Sequence, residues 1–304
     1  MSRLNHKKVI PKLIGIAAIA AMGILNSGVA QAAGFTTEIQ SFDLNFDFDT
    51  QGNAITTSNA GNLAGISNQW AEWGVSISAN RKNNPSVSEP LLLFNSNPNS
   101  STGGDSDLRT GSTWGTTVQN NVLIIQEDGW VQNKVGQEVR NANDPDDEAG
   151  GGSINFNFDS PVNFKEFSLL DMDDDQNSRG EYLDIFLWDK NNNKFEIDAL
   201  SLVQGIQNLY PDAIDGYQQS YTQDGVTITQ NSKVRGDNSL YTFNTSYIDI
   251  ARVEYRYPGS GAIAGIQWDK QVTVPKEIPE PSAGLGLLLV GGLFFRSARK
   301  RQNS

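Results

Sequence analysis

The sequence predicts an all-β fold, a jelly-roll-like β-sandwich, and three observations carry this prediction. Between residues 33 and 270, short apolar segments are separated by clusters of Asn, Gly, Asp and Ser, as in domains of short strands and turns. Several of these segments alternate apolar and polar side chains, which indicates strands with one buried face. No repeat of about 20 to 50 residues is visible, which argues against a propeller or a solenoid. A general β-sandwich is the second choice.

The first predicted strand covers Phe42 to Phe48. Its even-numbered residues are apolar, whereas Asp43, Asp47 and Asp49 are expected on its solvent side because successive side chains of a strand point to opposite faces. The same alternation predicts three later strands, at Val75 and Ile77, at Ile154, Phe156 and Phe158, and at Val226 and Ile228.

Uninterrupted apolar runs predict strands that are buried on both faces. They are Leu91 to Phe94, Val122 to Ile125 and Leu183 to Trp188. From Ile248 to Tyr257 the alternation shifts its phase near Ala251, which predicts a long strand with a bulge. Only residues 61–73 and 198–209 are expected to form short helices.

The predicted domain ends near residue 270, with its last strand ending at Trp268. Residues 271–282 form the predicted linker, which Pro275, Pro279 and Pro281 keep extended.

The N-terminal 32 residues follow the plan of a secretory signal peptide. A basic start precedes an uncharged run from Leu13 to Leu25, and Ala30 and Ala32 form an A-x-A cleavage site. A retained membrane anchor is the alternative. The uncharged run is shorter than the roughly 20 residues of a spanning helix, so cleavage is favoured.

The C-terminus has three parts in a fixed order. Pro279, Glu280 and Pro281 come first, a short apolar segment that we expect to be helical follows at residues 283–295, and a basic cluster occupies residues 296–301. The apolar segment can enter a bilayer, and the basic cluster holds its end on the cytoplasmic side. The body of the protein is then left outside.

This arrangement resembles the PEP-CTERM sorting signal, which is recognised by a membrane protease called exosortase. The match covers about the last 26 residues. The resemblance implies export in a bacterium with an outer membrane that makes exopolysaccharide, transient anchoring in the inner membrane, and cleavage near Pro281. Permanent anchoring by residues 283–304 stays open as the alternative.

Several internal segments resemble a recurring domain of secreted bacterial proteins. The resemblance implies a β-fold and secretion, and it assigns no catalytic role. The segments are residues 73–78, 102–108, 121–128, 150–154, 169–173 and 259–263.

Charge and composition exclude several classes of function. The net charge is -12, but residues 1–32 and 282–304 hold eight basic residues and no acid, so the segment between them has a net charge of -20. Such a segment would repel nucleic acid. The chain has no Cys, and its one histidine, His6, lies in the signal, which excludes disulfides, Cys/His zinc sites and His-based triads from the mature protein. We therefore expect a non-enzymatic protein.

Clusters of aspartate are the candidate metal ligands. Asp171, Asp173 and Asp175 alternate along the chain, and carboxylate oxygens are the ligands that Ca²⁺ prefers. Asp105, Asp107, Asp146 and Asp147 would complete the shell if their loops gather at one end of the sandwich. Solvated acidic loops are the competing interpretation.

Trp114 and Trp130 lie in glycine-containing loops and are the candidate sugar-binding residues, because an exposed indole stacks on a sugar face. Trp188 and Trp268 lie within strand patterns and are expected in the core.

The sequence thus predicts an exported surface or matrix protein that binds or organises exopolysaccharide, with Ca²⁺ as the expected ion. Its other partners are exosortase and the secretion machinery. A calcium-dependent polysaccharide-active enzyme with paired carboxylates and an adhesin for a protein partner are the alternatives.

Overall fold

The computed structural model describes residues 35–55, 68–82, 84–89, 91–99, 105–126, 131–132, 138–139, 147, 149–171 and 182–275. Several predicted features lie outside these residues. They are the signal peptide with Ala30 and Ala32, the motif Pro279, Glu280 and Pro281 with the segment after it, and the candidate side chains Trp130, Asp146, Asp173 and Asp175.

Strands dominate the described part of the chain, so the predicted all-β class is confirmed. The strands are β1 (Phe35–Leu44), β2 (Val75–Arg81), β3 (Asn84–Glu89), β4 (Leu91–Asn95), β5 (Asn121–Ile125), β6 (Val131–Gln132), β7 (Glu138–Val139), β8 (Gly152–Leu170), β9 (Asp184–Asp189), β10 (Lys194–Asp198), β11 (Ser220–Gln223), β12 (Val226–Gln230), β13 (Leu240–Tyr257) and β14 (Ala262–Pro275). The α-helix α1 (Ala199–Leu209) and a 3-10 turn (Ala71–Trp73) also lie in this described part.

Twelve of these strands form one antiparallel sheet around the long strands β8 and β13. The first half of β8 lies between β2 and the second half of β13, and β9 and β10 extend the sheet beyond β13. The second half of β8 lies between β14 and the first half of β13, and β12 and β11 extend that part. Strands β6 and β7 form a separate pair.

Aromatic rings join the two halves of the sheet in one core, as in a sandwich. Phe167, on the second half of β8, stacks on Phe243 with ring centroids 4.6 Å apart. Its edge also meets Tyr255, on the second half of β13, at 5.4 Å. Tyr255 in turn contacts Phe156 from the first half of β8 at 5.8 Å. The two long strands therefore supply both layers and the contacts between them.

The prediction of strands buried on both faces is confirmed for β4 and β5. Leu91, Leu93, Leu123 and Ile125 belong to the main core. The side chains on the other face form a second cluster, which consists of Leu92, Phe94, Leu108, Val122, Ile124, Leu170, Leu240, Ala262 and Ala264.

The predicted bulge near Ala251 is confirmed. The pairing of β13 shifts its register between Ile250 and Arg252 against both of its neighbours, β8 and β9. In a regular strand, residues three positions apart point to opposite faces. The extra residue of the bulge lets Ile250 and Val253 both be buried.

The predicted helix at residues 198–209 is confirmed as α1. Asp198 caps it, because the Asp198 carboxylate accepts the Ser201 N–H at 2.9 Å. Four buried residues, Ala199, Leu202, Val203 and Ile206, lie on one face at helical spacing and pack on the core. No helix in the described ranges has the length and apolar character needed to cross a membrane.

The prediction of one strand from Phe42 to Phe48 is wrong in its second half. Strand β1 ends at Leu44, and Phe46 has a positive φ of 60° with its ring buried edge-on against Trp70. Asp47 is half-buried rather than solvent-facing, and its carboxylate accepts the Asn121 N–H at 3.0 Å. Phe48 is 46% exposed.

Two further predictions need correction. Strand β14 continues beyond Trp268 to Pro275, so residues 271–275 of the predicted linker are strand. Trp268 is buried as predicted, but Trp188 is only half-buried, and the Arg252 guanidinium lies over its ring at 3.6 Å.

The chain divides into two compact units. Residues 41–270 belong to the larger unit, and the described residues of the smaller unit are 35–40 and 271–275, the outer ends of β1 and β14. All the sites considered below lie within the larger unit.

Candidate functional site

A groove of about 490 Å³ opens on the second half of the large sheet, and we call it the polar groove. Its volume falls within the range of roughly 300–1,000 Å³ that is common for small-molecule sites. Eight of its lining residues are Ser, Thr, Asn or Gln, and among the residues that the structure describes no carboxylate lines it. The lining consists of Ser112, Gly115, Thr116, Thr117, Gln119, Ser168, Tyr217, Gln218, Asn231, Lys233, Leu240 and Thr242.

The floor of the polar groove is a row of hydroxyl groups on adjacent strands. Strand pairing places Ser168 opposite Thr242, and Thr242 opposite Thr229, so their side chains share one face of the sheet. The hydroxyls of Ser168 and Thr242 are 2.7 Å apart, and the Asn231 amide donates to the Thr242 hydroxyl at 2.7 Å. Each hydroxyl retains hydrogen-bonding capacity, since it is both a donor and a double acceptor.

One wall of the polar groove is the loop from residue 111 to residue 120. Its turn is closed from within, because the Thr116 hydroxyl accepts the Gly111 N–H and the Trp114 N–H donates to the Gly111 carbonyl at 3.1 Å. The Gln119 N–H donates to the buried Thr110 hydroxyl at 2.9 Å. The wall is therefore held by its own hydrogen bonds.

The opposite wall depends on the buried side chain of Gln230. Its amide nitrogen donates to the carbonyls of Ala213 and Ser232, at 2.7 Å and 2.8 Å. Its amide oxygen accepts the Arg235 Nε–H at 3.1 Å. Gln230 thus ties the loop that carries Tyr217 to the loop that carries Lys233.

Lys233 is held against the first wall. Its N–H donates to the Trp114 carbonyl at 2.7 Å, and its stem lies over Gly115, where an added Cβ would be 2.5 Å from the Lys233 Cγ. Its ammonium group lies 5.3 Å from the centre of the Tyr217 ring.

The structure places one of the two predicted sugar-binding residues beside the polar groove. The Trp114 backbone joins the two walls, but its half-buried side chain is not among the lining groups. Sequence reasoning missed Tyr217, which supplies the aromatic ring instead, and it missed Lys233. The signal available for Tyr217 was the same as for Trp114, an aromatic residue in a Gly- and Gln-rich loop.

Two of the predicted calcium ligands, Asp147 and Asp171, approach the same phenol. Both carboxylates are buried, and burial and their negative charges together raise the pKa of Tyr257 well above its ordinary value. Gly261 links the three residues: its N–H donates to the Asp147 carboxylate, and its Cα packs against the Tyr257 ring and the Asp171 carbonyl. An added Cβ there would be 2.5 Å from the ring.

Asp105 and Asp107 lie in a neighbouring loop. The Asp107 carbonyl accepts the Asn238 N–H at 2.7 Å. The carbonyl of the following residue, Ser239, accepts the Asp171 N–H at 2.9 Å. The backbone of Asp107 and that of Asp171 are therefore joined through the segment Asn238–Ser239. Among the described residues, no group of three or more Asp, Glu, His or Cys side chains is arranged to hold a metal ion. The full calcium set stays a prediction.

A second opening, the acidic cleft, has a volume of about 710 Å³ and lies beside the N-terminus of α1. Its charged lining groups are Lys82, Asp184, Glu196, Asp198, Glu254 and Arg256. Glu254 and Glu196 both pair with Phe186 of the strand between them, so the three side chains share one face. Arg256 donates its Nε–H to the Glu254 carboxylate.

No family model, no curated protein and no solved structure matches this chain.

Proposed function

We propose that this chain is an exported surface or matrix protein that binds exopolysaccharide in the polar groove and catalyses no reaction. The observation that carries the proposal is the lining of the groove, in which the described residues are mostly hydroxyl and amide side chains with one aromatic ring and no carboxylate. Sugars present hydroxyl groups that both donate and accept, and they are matched by side chains with the same capacity.

The sequence of the two chain ends supports export. The N-terminus has a signal peptide with a cleavage site at Ala30 and Ala32. The C-terminus has the Pro279-Glu280-Pro281 motif followed by apolar and basic segments, so the two ends are consistent as export and sorting signals. On this proposal exosortase and the secretion machinery are partners of the precursor. The mature protein lies at the cell surface or in the extracellular matrix of a bacterium with an outer membrane.

Binding is tested with the purified full-length protein by affinity electrophoresis in gels that contain neutral and acidic polysaccharides. The double variant Ser168→Ala/Thr242→Val removes the hydroxyls of the groove floor and is expected to lose retardation. The matched control is Thr222→Val/Thr227→Val, because these hydroxyls pair at 2.8 Å on the same sheet but do not line the groove. No retardation of the unaltered protein by any polysaccharide would refute the proposed binding.

Export and sorting are tested in a bacterium that encodes an exosortase. Deletion of residues 279–304 is expected to abolish C-terminal processing and surface attachment while the signal peptide is still removed. Mass spectrometry of the extracellular protein should then find an N-terminus at Ala33 or Gly34 and, in the intact protein only, a C-terminus near Pro281. Unchanged processing and attachment after the deletion would count against this assignment.

Glycoside hydrolysis is the second candidate, because the acidic cleft holds Glu254 and Glu196 on alternate strands. Two strand spacings put their Cα atoms roughly 10 Å apart, near the separation of about 6.5–9.5 Å between the carboxyls of inverting enzymes. However, the Phe186 ring lies in the same row between them, and Arg256 already holds Glu254. A ring in that position displaces the water that an inverting mechanism needs. Release of reducing ends by the protein, lost in Glu254→Gln, would reverse this preference.

A further inference from the structure

The charge of the polar groove is opposite in sign to that of the protein around it. Between the two basic ends the chain has a net charge of -20, yet Lys233 is the one charged side chain among the described residues that line the groove. Among the residues that the structure describes, no carboxylate forms an ion pair with it. Its ammonium is therefore available to a ligand.

The position of Lys233 is set by the fold. Gly115 has a φ of +80°, a conformation that favours glycine, and its missing side chain leaves the space that the Lys233 stem occupies. The Lys233 backbone is joined to the same loop by its hydrogen bond to Trp114 at 2.7 Å. On the far side, the Tyr217 ring lies within cation–π distance of the ammonium. These three contacts restrict the position of the Lys233 side chain, whereas the stem of a solvated lysine rotates freely.

Most of the other residues that line the same groove carry hydroxyl or amide groups. Ser168, Thr242 and Asn231 form a connected set of hydrogen bonds on the groove floor. A ligand that satisfies both parts of the groove needs an anionic oxygen for Lys233 and several hydroxyls for the floor. A sugar with a carboxylate at one position has this combination.

We propose that the polar groove recognises the acidic units of a carboxylated polysaccharide, with Lys233 binding the uronate carboxylate. This inference rests on the proposed polysaccharide binding and names the class of sugar. Lys233 is then the residue that distinguishes an acidic sugar from a neutral one.

The test compares two ligands that differ only in charge, an oligogalacturonate and its fully methyl-esterified form, with the full-length protein in calorimetry. The solution is kept near physiological ionic strength, because a screening length of about 8 Å removes most of the repulsion from carboxylates outside the groove. The unaltered protein is expected to bind the acid about tenfold more tightly than the ester, the scale of one charge-assisted hydrogen bond.

Three variants and one control assign that preference to Lys233. Lys233→Gln is expected to bind both ligands equally, and Lys233→Arg is expected to keep a preference for the acid. Lys190→Gln is the charge-matched control, because Lys190 is exposed and pairs with Asp249 away from the groove. Gly115→Ala is expected to reduce the preference as Lys233→Gln does, since its Cβ displaces the lysine stem.

The outcomes separate the two claims. Equal binding of acid and ester by the unaltered protein, or a preference that survives in Lys233→Gln, overturns the inference and leaves polysaccharide binding intact. Failure to bind acidic and neutral polysaccharides alike overturns the proposed function together with the inference. The thermal midpoint is the check that each variant is folded, and because Lys233 is exposed, loss of its contacts with Gly115 and Tyr217 is expected to lower the midpoint only slightly.

Discussion

Asp43 and Glu166 lie close enough for the charge of the first to raise the pKa of the second. Burial is the larger cause of the raised Glu166 pKa, and the negative charge of Asp43 adds to it. The pKa of Asp43 is itself raised by burial. The two carboxylates come from different strands, β1 and β8, so the fold brings together two groups that would both be charged and apart in the unfolded chain.

This pair makes stability depend on pH. A carboxylate whose pKa is raised by folding binds its proton more tightly in the native state, so native stability falls as pH rises from the unfolded pKa through the folded one. We expect Glu166→Gln to flatten this dependence and to stabilise the protein at about pH 7 by roughly 0.5 kcal/mol, a small value because the group is half-exposed. Urea unfolding at about pH 5 and about pH 7 measures both effects. Glu196→Gln, which removes an exposed carboxylate elsewhere on the sheet, is the matched control, and an equal change in both variants would contradict the assignment.

Gln230 should be essential for the walls of the polar groove. Replacement by leucine leaves the buried Ser232 carbonyl and the part-buried Ala213 carbonyl without their donor, at a cost of about 1–3 kcal/mol. We expect Gln230→Leu to lower the urea midpoint and to weaken polysaccharide binding. Gln223→Leu is the control, because the Gln223 side chain bonds to the half-buried Tyr221 hydroxyl and to the exposed Asp224 carboxylate, and neither bond involves a backbone carbonyl. Full binding by Gln230→Leu would show that the loops keep their positions without this side chain.

The stacked rings of Phe167 and Phe243 should be the most sensitive point of the core. Both rings are fully buried, and their planes are 8° apart. Truncation of Phe243 to alanine is expected to cost about 3–5 kcal/mol in the free energy of unfolding, because it leaves a cavity between the two layers. Phe195→Ala, at a residue that is 37% exposed, should cost much less. The free energies from urea denaturation decide this, and similar losses in both variants would contradict it.

We propose that Ca²⁺ binds at Asp147 and Asp171, where two buried carboxylates and the Tyr257 phenol converge. A ligand that binds only the native state stabilises it by about 2.7 kcal/mol at a hundredfold excess over its Kd. We therefore expect Ca²⁺ to raise the thermal midpoint above that in chelator, and Asp171→Asn to remove the increase. Asparagine tolerates the positive φ of 55° at this position, so the backbone is preserved.

The control for the calcium experiment is Asp249→Asn, whose exposed carboxylate pairs with Lys190. It should keep the full response to Ca²⁺. Identical midpoints of the unaltered protein in Ca²⁺ and in chelator would refute the site.

Much of the fold could be predicted because strand periodicity is a local property. The alternation at Ile154 and Phe156, the double burial of Leu91 to Phe94 and the phase shift at Ala251 all depend on which face a side chain takes along one strand. The prediction failed at Phe46, where alternation continues in the sequence but the backbone turns to a positive φ. The cause is distant in the chain, since the turn buries Phe46 against Trp70.

The polar groove could not be predicted, because it too depends on contacts between segments that are distant in the chain. Ser168 and Thr242 occupy the polar positions of alternating strands, where a solvent-facing hydroxyl is the ordinary expectation. Only the pairing of β8 with β13 shows that they meet, and only the loops around Gly115 and Lys233 make that surface concave. The acidic residues were predicted individually, but the meeting of Asp147 and Asp171 at Tyr257 depends on contacts between distant segments.

The pairing of β8 with β13 also determines when the chain can fold. Its contacts run from Leu170 with Leu240 to Gly152 with Tyr257, all of them between residues far apart in sequence. Such contacts form slowly, because a long loop must close before they contribute. Since both layers take a strand from β13, neither can complete its core on a chain synthesised only as far as α1. The native core is complete only once β14, which adds Ile263, Ile266 and Trp268 to it, has also been synthesised.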